Sequence, residues 1–241
     1  MDIIQTVINV NSAQPERLRD FYRDIIRLKE YPEMEEGAMI VAETPFIIDG
    51  HDALTSATTR EPARTLWNFA VDDLAAEQAR LEKAGVRFIT TGPVPKDGQI
   101  SFSTFVDPDG NYGQIFHGDG MPAGMELFVL THHSGDHERL RTFYRDVVGI
   151  SDDHPGMGNP FIMGTTWMYI SPHSEVHGPA IEPARILVNL FVADVAAEQK
   201  RLESNGVKFS RGMGREPWGG IISTFTDPDG NYMQLIEFRP E

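Results

Sequence analysis

An α+β fold made of two tandem βαβββ-type modules is the architecture this sequence predicts. Three observations predict it. Long stretches of the first half recur in the second half, each half carries two helix-type apolar patterns, and short β-rich runs surround those patterns.

The clearest recurrence pairs STFVDPDGNYGQIF, 103–116, with STFTDPDGNYMQLI, 223–236, identical at ten of fourteen positions. RLRDFYRDII, 17–26, matches RLRTFYRDVV, 139–148, and DDLAAEQARLEKAGVRF, 72–88, matches ADVAAEQKRLESNGVKF, 193–209. The offset drifts only from 122 to 120, so the halves differ by small insertions and reflect a duplication rather than a solenoid. HGDGMPAG, 117–124, has the Gly/Pro character of a joint. The expected division is a first module at 1–118, a linker at 119–124 and a second module at 125–241.

Each module opens on a strand, placed at 3–10 in the first. The first helix follows from Leu18, Phe21, Tyr22, Ile25 and Ile26, which repeat at the spacing of an amphipathic face, with Pro15 suited to the first turn. Leu140, Phe143, Tyr144, Val147 and Val148 repeat that stripe. The second helix is expected to start near Asp73 or Asp194 as N-cap and to stop at Gly85 or Gly206. Further strands are expected at 38–49, 66–71, 86–90, 101–106 and 112–117, which makes an extra helix and strand beyond the minimal module. Asp107-Pro108-Asp109-Gly110 has the residues of a type I turn and joins the last two strands as a hairpin.

The bulk numbers narrow the function. There are 36 acidic against 21 basic side chains, a net charge of −15, which repels nucleic acid and anionic lipid. No apolar run approaches the ~20 residues that span a bilayer, and MDIIQTVINV lacks the features of a signal peptide. A cytoplasmic location is the expectation. With no cysteine, disulfides, thiolate nucleophiles and thiolate metal sites are excluded.

A module of this order, with FYRD on its first helix and a DPDGN hairpin at its end, present twice, resembles the vicinal oxygen chelate superfamily, which includes glyoxalase I, extradiol dioxygenases and bleomycin-resistance proteins. The resemblance implies paired modules whose curved mixed sheets form a cup around a small ligand. Enzymes of the superfamily usually hold a divalent metal there through His and Glu. The Glu position, seven residues after the first Asp of the turn, falls on Gln114 and Gln234. The first-strand position falls on Gln5 and Leu127, and the remaining one on Leu66 and Leu187. Amides are weak ligands for a divalent metal and leucine is none, so no metal and no other cofactor is expected.

Strand alternation then lines the cup. Tyr112 and Phe116 accompany Gln114, and Tyr232 and Ile236 accompany Gln234. Val7 and Asn9 accompany Gln5, while Asn68 and Asn189 accompany the two leucines. The expected ligand-binding residues are Gln5, Asn9, Asn68, Tyr112, Gln114, Phe116, Asn189, Tyr232 and Gln234. This lining suits an aromatic small molecule held by a few hydrogen bonds, and it lacks any aligned nucleophile or general base, so no catalytic residue is assigned. The metal-free, bleomycin-resistance-like branch sequesters cationic aromatic drugs, and the acidity of the chain agrees with a cationic ligand.

Histidines cluster in THHSGDH, 131–137, and SPHSEVH, 171–177. Both read as solvated loops at strand ends, with His133 alone placed at a cup rim. Trp67 should face the helices as core, and Trp218 an exposed turn. The expected function is metal-independent binding of a small molecule, antibiotic sequestration being its most concrete form. The alternatives are a metal-dependent dioxygenase or glyoxalase-type lyase or isomerase, and a non-catalytic partner-binding module. A homodimer stays open, as do the identity of the ligand and the number of cups that take one.

Overall fold

The computed structural model describes residues 1–54, 56–93, 99–121, 124–154 and 158–238; residues 122–123 of the expected linker lie outside them. The first half contributes β1 (Gln5–Ser12), β2 (Lys29–Glu30), β3 (Met39–Val41), β4 (Thr44–Gly50), β5 (Thr65–Ala70), β6 (Arg87–Thr90), β7 (Ile100–Val106) and β8 (Tyr112–Gly118). The second contributes β9 (Phe128–His133), β10 (Phe161–Met163), β11 (Thr166–Ser171), β12 (Ile186–Phe191), β13 (Phe209–Arg215), β14 (Ile221–Thr226) and β15 (Tyr232–Glu237).

The repeat in the sequence is not the unit of the sheets. One mixed sheet runs β13-β14-β15-β12-β1-β4-β3-β2, and the other runs β10-β11-β9-β5-β8-β7-β6. Each therefore joins the opening strands of one repeat to the closing strands of the other, and neither closes into a barrel. The seams are antiparallel: β1 lies on β12 with Val7 opposite Asn189, and β9 lies on β5 with Val129 opposite Asn68.

Alternation along these strands decides what lies between the sheets. Ile8, Val10, Phe46, Trp67, Phe69, Phe128 and Leu130 point inward and join one continuous core with the helices. Phe46 of the first sheet packs edge-on to Trp67 of the second at 5.7 Å between ring centres, and to Phe128 at 6.4 Å. The sheets thus pack inner face to inner face, and Trp67 is core as expected. Thr44 and Thr166, equivalent in the two repeats, share a buried hydrogen bond of 2.7 Å at the centre. Two glutamates link the repeats reciprocally. Glu61 Oε2 accepts from the backbone N–H groups of Ile181 and Glu182, and Glu182 Oε2 accepts from the Arg60 N–H and the Thr59 hydroxyl.

The second helices, α2 (Leu74–Lys83) and α4 (Val195–Ser204), start on the expected caps, Asp73 accepting from Ala76 N–H at 3.0 Å and Asp194 from Ala197 N–H at 2.8 Å. The first helices, α1 (Pro15–Asp20) and α3 (His137–Thr142), are shorter than their apolar stripes predict. Each continues into a wider π-type turn, Phe21–Ile26 and Phe143–Val148, ending on a left-handed residue, Arg27 or Gly149. Within that turn Tyr22 and Tyr144 are fully buried, and their hydroxyls donate to Asp107 and Asp227 at 3.0 and 2.9 Å. The expected strand at 38–49 is a hairpin, because Ala42 takes a positive φ of 51° between β3 and β4.

The DPDG turns close with Gly110 N–H on Asp107 C=O and Gly230 N–H on Asp227 C=O, 3.0 and 2.9 Å. The Asp107 carboxylate also accepts from the N–H groups of Asp109 and Asn111 and from the Asn111 amide. Burial pushes this carboxyl up to about 7 and that of Asp227 up to about 6, against these hydrogen bonds, which favour the ionised form.

Candidate functional site

The outer face of the seven-stranded sheet holds a cavity of about 620 Å³. Its wall is assembled in register. Trp167 of β11 lies beside Val129 of β9, Val129 beside Asn68 of β5, and Asn68 beside Gln114 of β8. Beyond that row, towards the end of β8, Phe116 pairs with Phe102, and the two rings stack at 5.5 Å. In the opposite direction lie Thr131 and Tyr169, then His133 and Ser171. The cavity is thus graded, with Ile100, Phe102, Phe116, Met121 and Leu127 at one end and hydroxyls and an imidazole at the other. Among the described residues none of its lining side chains is Asp, Glu, Lys or Arg.

Polar groups in the wall are held by the protein itself. Asn68 Nδ2 donates to Val129 C=O at 2.8 Å and to Thr131 Oγ1 at 3.0 Å, and Gln114 Nε2 donates to Thr104 Oγ1 at 2.9 Å. His133 sits on the last residue of β9, and its Nδ1 lies 2.6 Å from the Ala63 carbonyl. A carbonyl only accepts, so the proton of the neutral ring is on Nδ1. Burial, with a contribution from the His173 ring 4.7 Å away, lowers the affinity of His133 for a second proton. Burial also raises the Tyr169 phenol, which stays protonated.

The outer face of the eight-stranded sheet is covered over β1 and β4 by its own chain. Tyr31, Met34 and Ala38, from the segment between β2 and β3, pack on Val7 and Ile47. Asn9 Nδ2 donates to Asp49 Oδ2 at 3.0 Å, and Gln234 Nε2 donates to Thr224 Oγ1 at 3.0 Å, mirroring Gln114.

The nine residues expected to bind a ligand therefore separate. Asn68, Gln114 and Phe116 line the cavity. Gln5, Asn9, Asn189, Tyr232 and Gln234 lie on the other sheet, because each sheet combines halves of both repeats. Tyr112 shares β8 with Gln114 and stands outside the cavity lining. Ile100, Phe102, Met121, Trp167, Tyr169, Thr131 and Ser171 join the wall without having been foreseen. The stretch Ile100-Ser101-Phe102-Ser103 carried a signal for this. Its serines are buried, Ser103 bonding Gln78, and its apolar residues are exposed, the reverse of a strand with a solvated outer face.

The histidine expectation needs correction. His132 and His133 are buried on β9 rather than solvated in a loop, because Thr65 and the Ala63 carbonyl hold their rings. His132 lies fully inside, and burial drives its pKa down to about 3. Trp218 is exposed, as expected, and stacks on Phe238.

The donor set does not fit a divalent metal. The aligned positions meet across repeats, Leu66, Gln114 and Leu127 on one sheet and Gln5, Leu187 and Gln234 on the other. Among the described residues no group of three or more His, Asp or Glu is placed to hold a metal ion. No described helix is long and apolar enough to cross a membrane.

A family profile for the glyoxalase/bleomycin resistance protein/dioxygenase superfamily matches residues 3–115 and 131–235, and the chain belongs to that superfamily. Glyoxalase I from Zea mays is structurally similar, with a TM-score of 0.66 at 15% identity over 98% of this chain and 92% of that one. A putative dioxygenase from Bacillus subtilis subsp. subtilis str. 168 gives 0.57 at 14% identity over 100% and 86%. TnmS3, an antibiotic binding protein from Streptomyces sp. CB03234, gives 0.36 at 24% identity over 46% and 93%. No curated protein matches. At these identities the glyoxalase I and dioxygenase structures establish the fold alone.

Proposed function

We propose that the protein binds one small, uncharged, largely aromatic molecule per chain in the cavity of the seven-stranded sheet, without a metal, and thereby sequesters it. The observation that carries this reading is the wall itself. Aromatic and aliphatic side chains surround about 620 Å³, a size suited to a drug-like molecule, with a few fixed polar groups to orient it. On the eight-stranded sheet Tyr31, Met34 and Ala38 already pack over Val7 and Ile47, so one site per chain is expected. A net charge of −15 acts on the surroundings of the protein, whereas among the described residues no carboxylate lines the cavity to meet a cationic group. An antibiotic-like polycyclic compound is the concrete form of such a ligand.

The test is a thermal-shift screen of neutral polycyclic aromatics with tryptophan fluorescence as a second readout. A ligand at a hundred times its Kd adds ~2.7 kcal/mol of stability and also changes the emission of Trp167 in the wall. A screen in which only cationic or metal-bound compounds shift the protein overturns the reading.

A further inference from the structure

Three side chains present acceptor atoms to the cavity, beside hydroxyls that can both donate and accept. Asn68 spends its amide N–H groups on Val129 C=O and Thr131 Oγ1, which fixes the orientation of the amide, and among the described residues nothing donates to its Oδ1. Gln114 Nε2 donates one of its two hydrogens to Thr104, and no described residue donates to its Oε1. His133 has its ring proton on Nδ1, at 2.6 Å from the Ala63 carbonyl, and that leaves a lone pair on Nε2. All three side chains line the same space.

From this arrangement we infer that the cavity selects aromatic molecules carrying an acidic O–H, a phenol or an enol, and that His133 Nε2 is the acceptor that reads it. The inference rests on the ligand-binding reading of this cavity and adds to it the chemical class of the ligand. The site rejects an ether of the same shape, because burying an acceptor without a donor costs free energy while the apolar contacts stay equal. Ser171 lies opposite His133 and Thr131 lies beside Tyr169, so hydroxyls that rotate to suit flank the acceptor.

The full chain is titrated with 1-hydroxypyrene and with 1-methoxypyrene, followed by probe fluorescence. The expected result is a preference of about tenfold or more for the hydroxyl compound, on the scale of one good hydrogen bond. In His133→Phe the preference collapses towards equality, and in His133→Gln, which keeps an acceptor oxygen, part of it survives. Nitrogen-15 NMR of the free wild-type protein is expected to show the His133 proton on Nδ1, a readout independent of any variant's folding. Equal binding of both probes to the wild type overturns the selection while leaving the cavity reading standing. Binding of neither probe overturns both. A preference that survives unchanged in His133→Phe, or a proton found on Nε2, overturns the assignment to His133.

Discussion

Tyr22 donates its phenol hydrogen to Asp107 across 85 residues of chain, at 3.0 Å and out of contact with solvent. Tyr144 and Asp227 repeat the bond at 2.9 Å. The two sequence motifs that recur most closely are thus one structural unit, a helix hydroxyl bound to the first residue of a turn. That bond sets where the closing strand of each repeat begins, and hence where Gln114 and Gln234 stand.

Removing either hydroxyl tests this coupling. Tyr22→Phe and Tyr144→Phe should each lower stability by about 1–3 kcal/mol, since each leaves a buried carboxylate short of one donor. The hydroxyl favours the ionised carboxylate, whose pKa in the fold is about 7 at Asp107. The Tyr22→Phe cost should accordingly be larger at pH 8 than at pH 5.5, as measured by urea unfolding at the two pH values. A cost independent of pH would contradict the account.

His132 should make the protein sensitive to acid. Its pKa is about 3 in the fold, against an ordinary value of about 6.5, so the unfolded chain binds more protons between those limits. The stability it contributes is present above about pH 6.5 and is lost as pH falls towards 3, at up to ~1.4 kcal/mol per pH unit. His132→Gln should unfold with a flatter pH dependence over that range than the wild type.

The two repeats differ at one backbone position that offers a direct comparison. Arg27 ends its π-type turn at φ 71°, where the second repeat has Gly149 at φ 80°. Glycine adopts this region without the steric penalty of a Cβ, which is about 1–2 kcal/mol and partly offset by its entropy when unfolded. The Arg27→Gly variant should be more stable by roughly 0.5–1 kcal/mol, read as a rise in Tm.

One binding site per chain can be tested on equivalent residues. Phe116 stacks on Phe102 in the cavity, and its counterpart Ile236 lies on β15 of the eight-stranded sheet. Phe116→Ala should weaken binding of a polycyclic probe about tenfold or more through lost aromatic contact, while Ile236→Ala leaves it unchanged. Equal losses would mean that both sheets bind.

Much of the fold could be read in the sequence because it is local. The apolar stripes, the Asp73 and Asp194 caps and the DPDG turns act within a few residues of themselves. The partnership of strands is not local. β1 could have closed on strands of its own repeat, and nothing in QTVINVNS names β12 as its neighbour, so Gln5 and Gln114 could be assigned to one cup when they line different sheets. The covering of the eight-stranded sheet was hidden for a related reason. YPEMEEGA, 31–38, is acidic and aperiodic, yet it places Tyr31 and Met34 on Val7. Trp167 and Tyr169 could have been placed, since they alternate with Met168 and Ile170, which are inside.

The central claim is that the cavity binds a neutral aromatic molecule with no metal. Its most direct test is a calorimetric titration of 1-hydroxypyrene into the protein after exhaustive dialysis against EDTA, repeated with added manganese, iron or zinc. The account predicts one site per chain and the same affinity in every case. Binding abolished by the chelator and restored by a metal ion would contradict it.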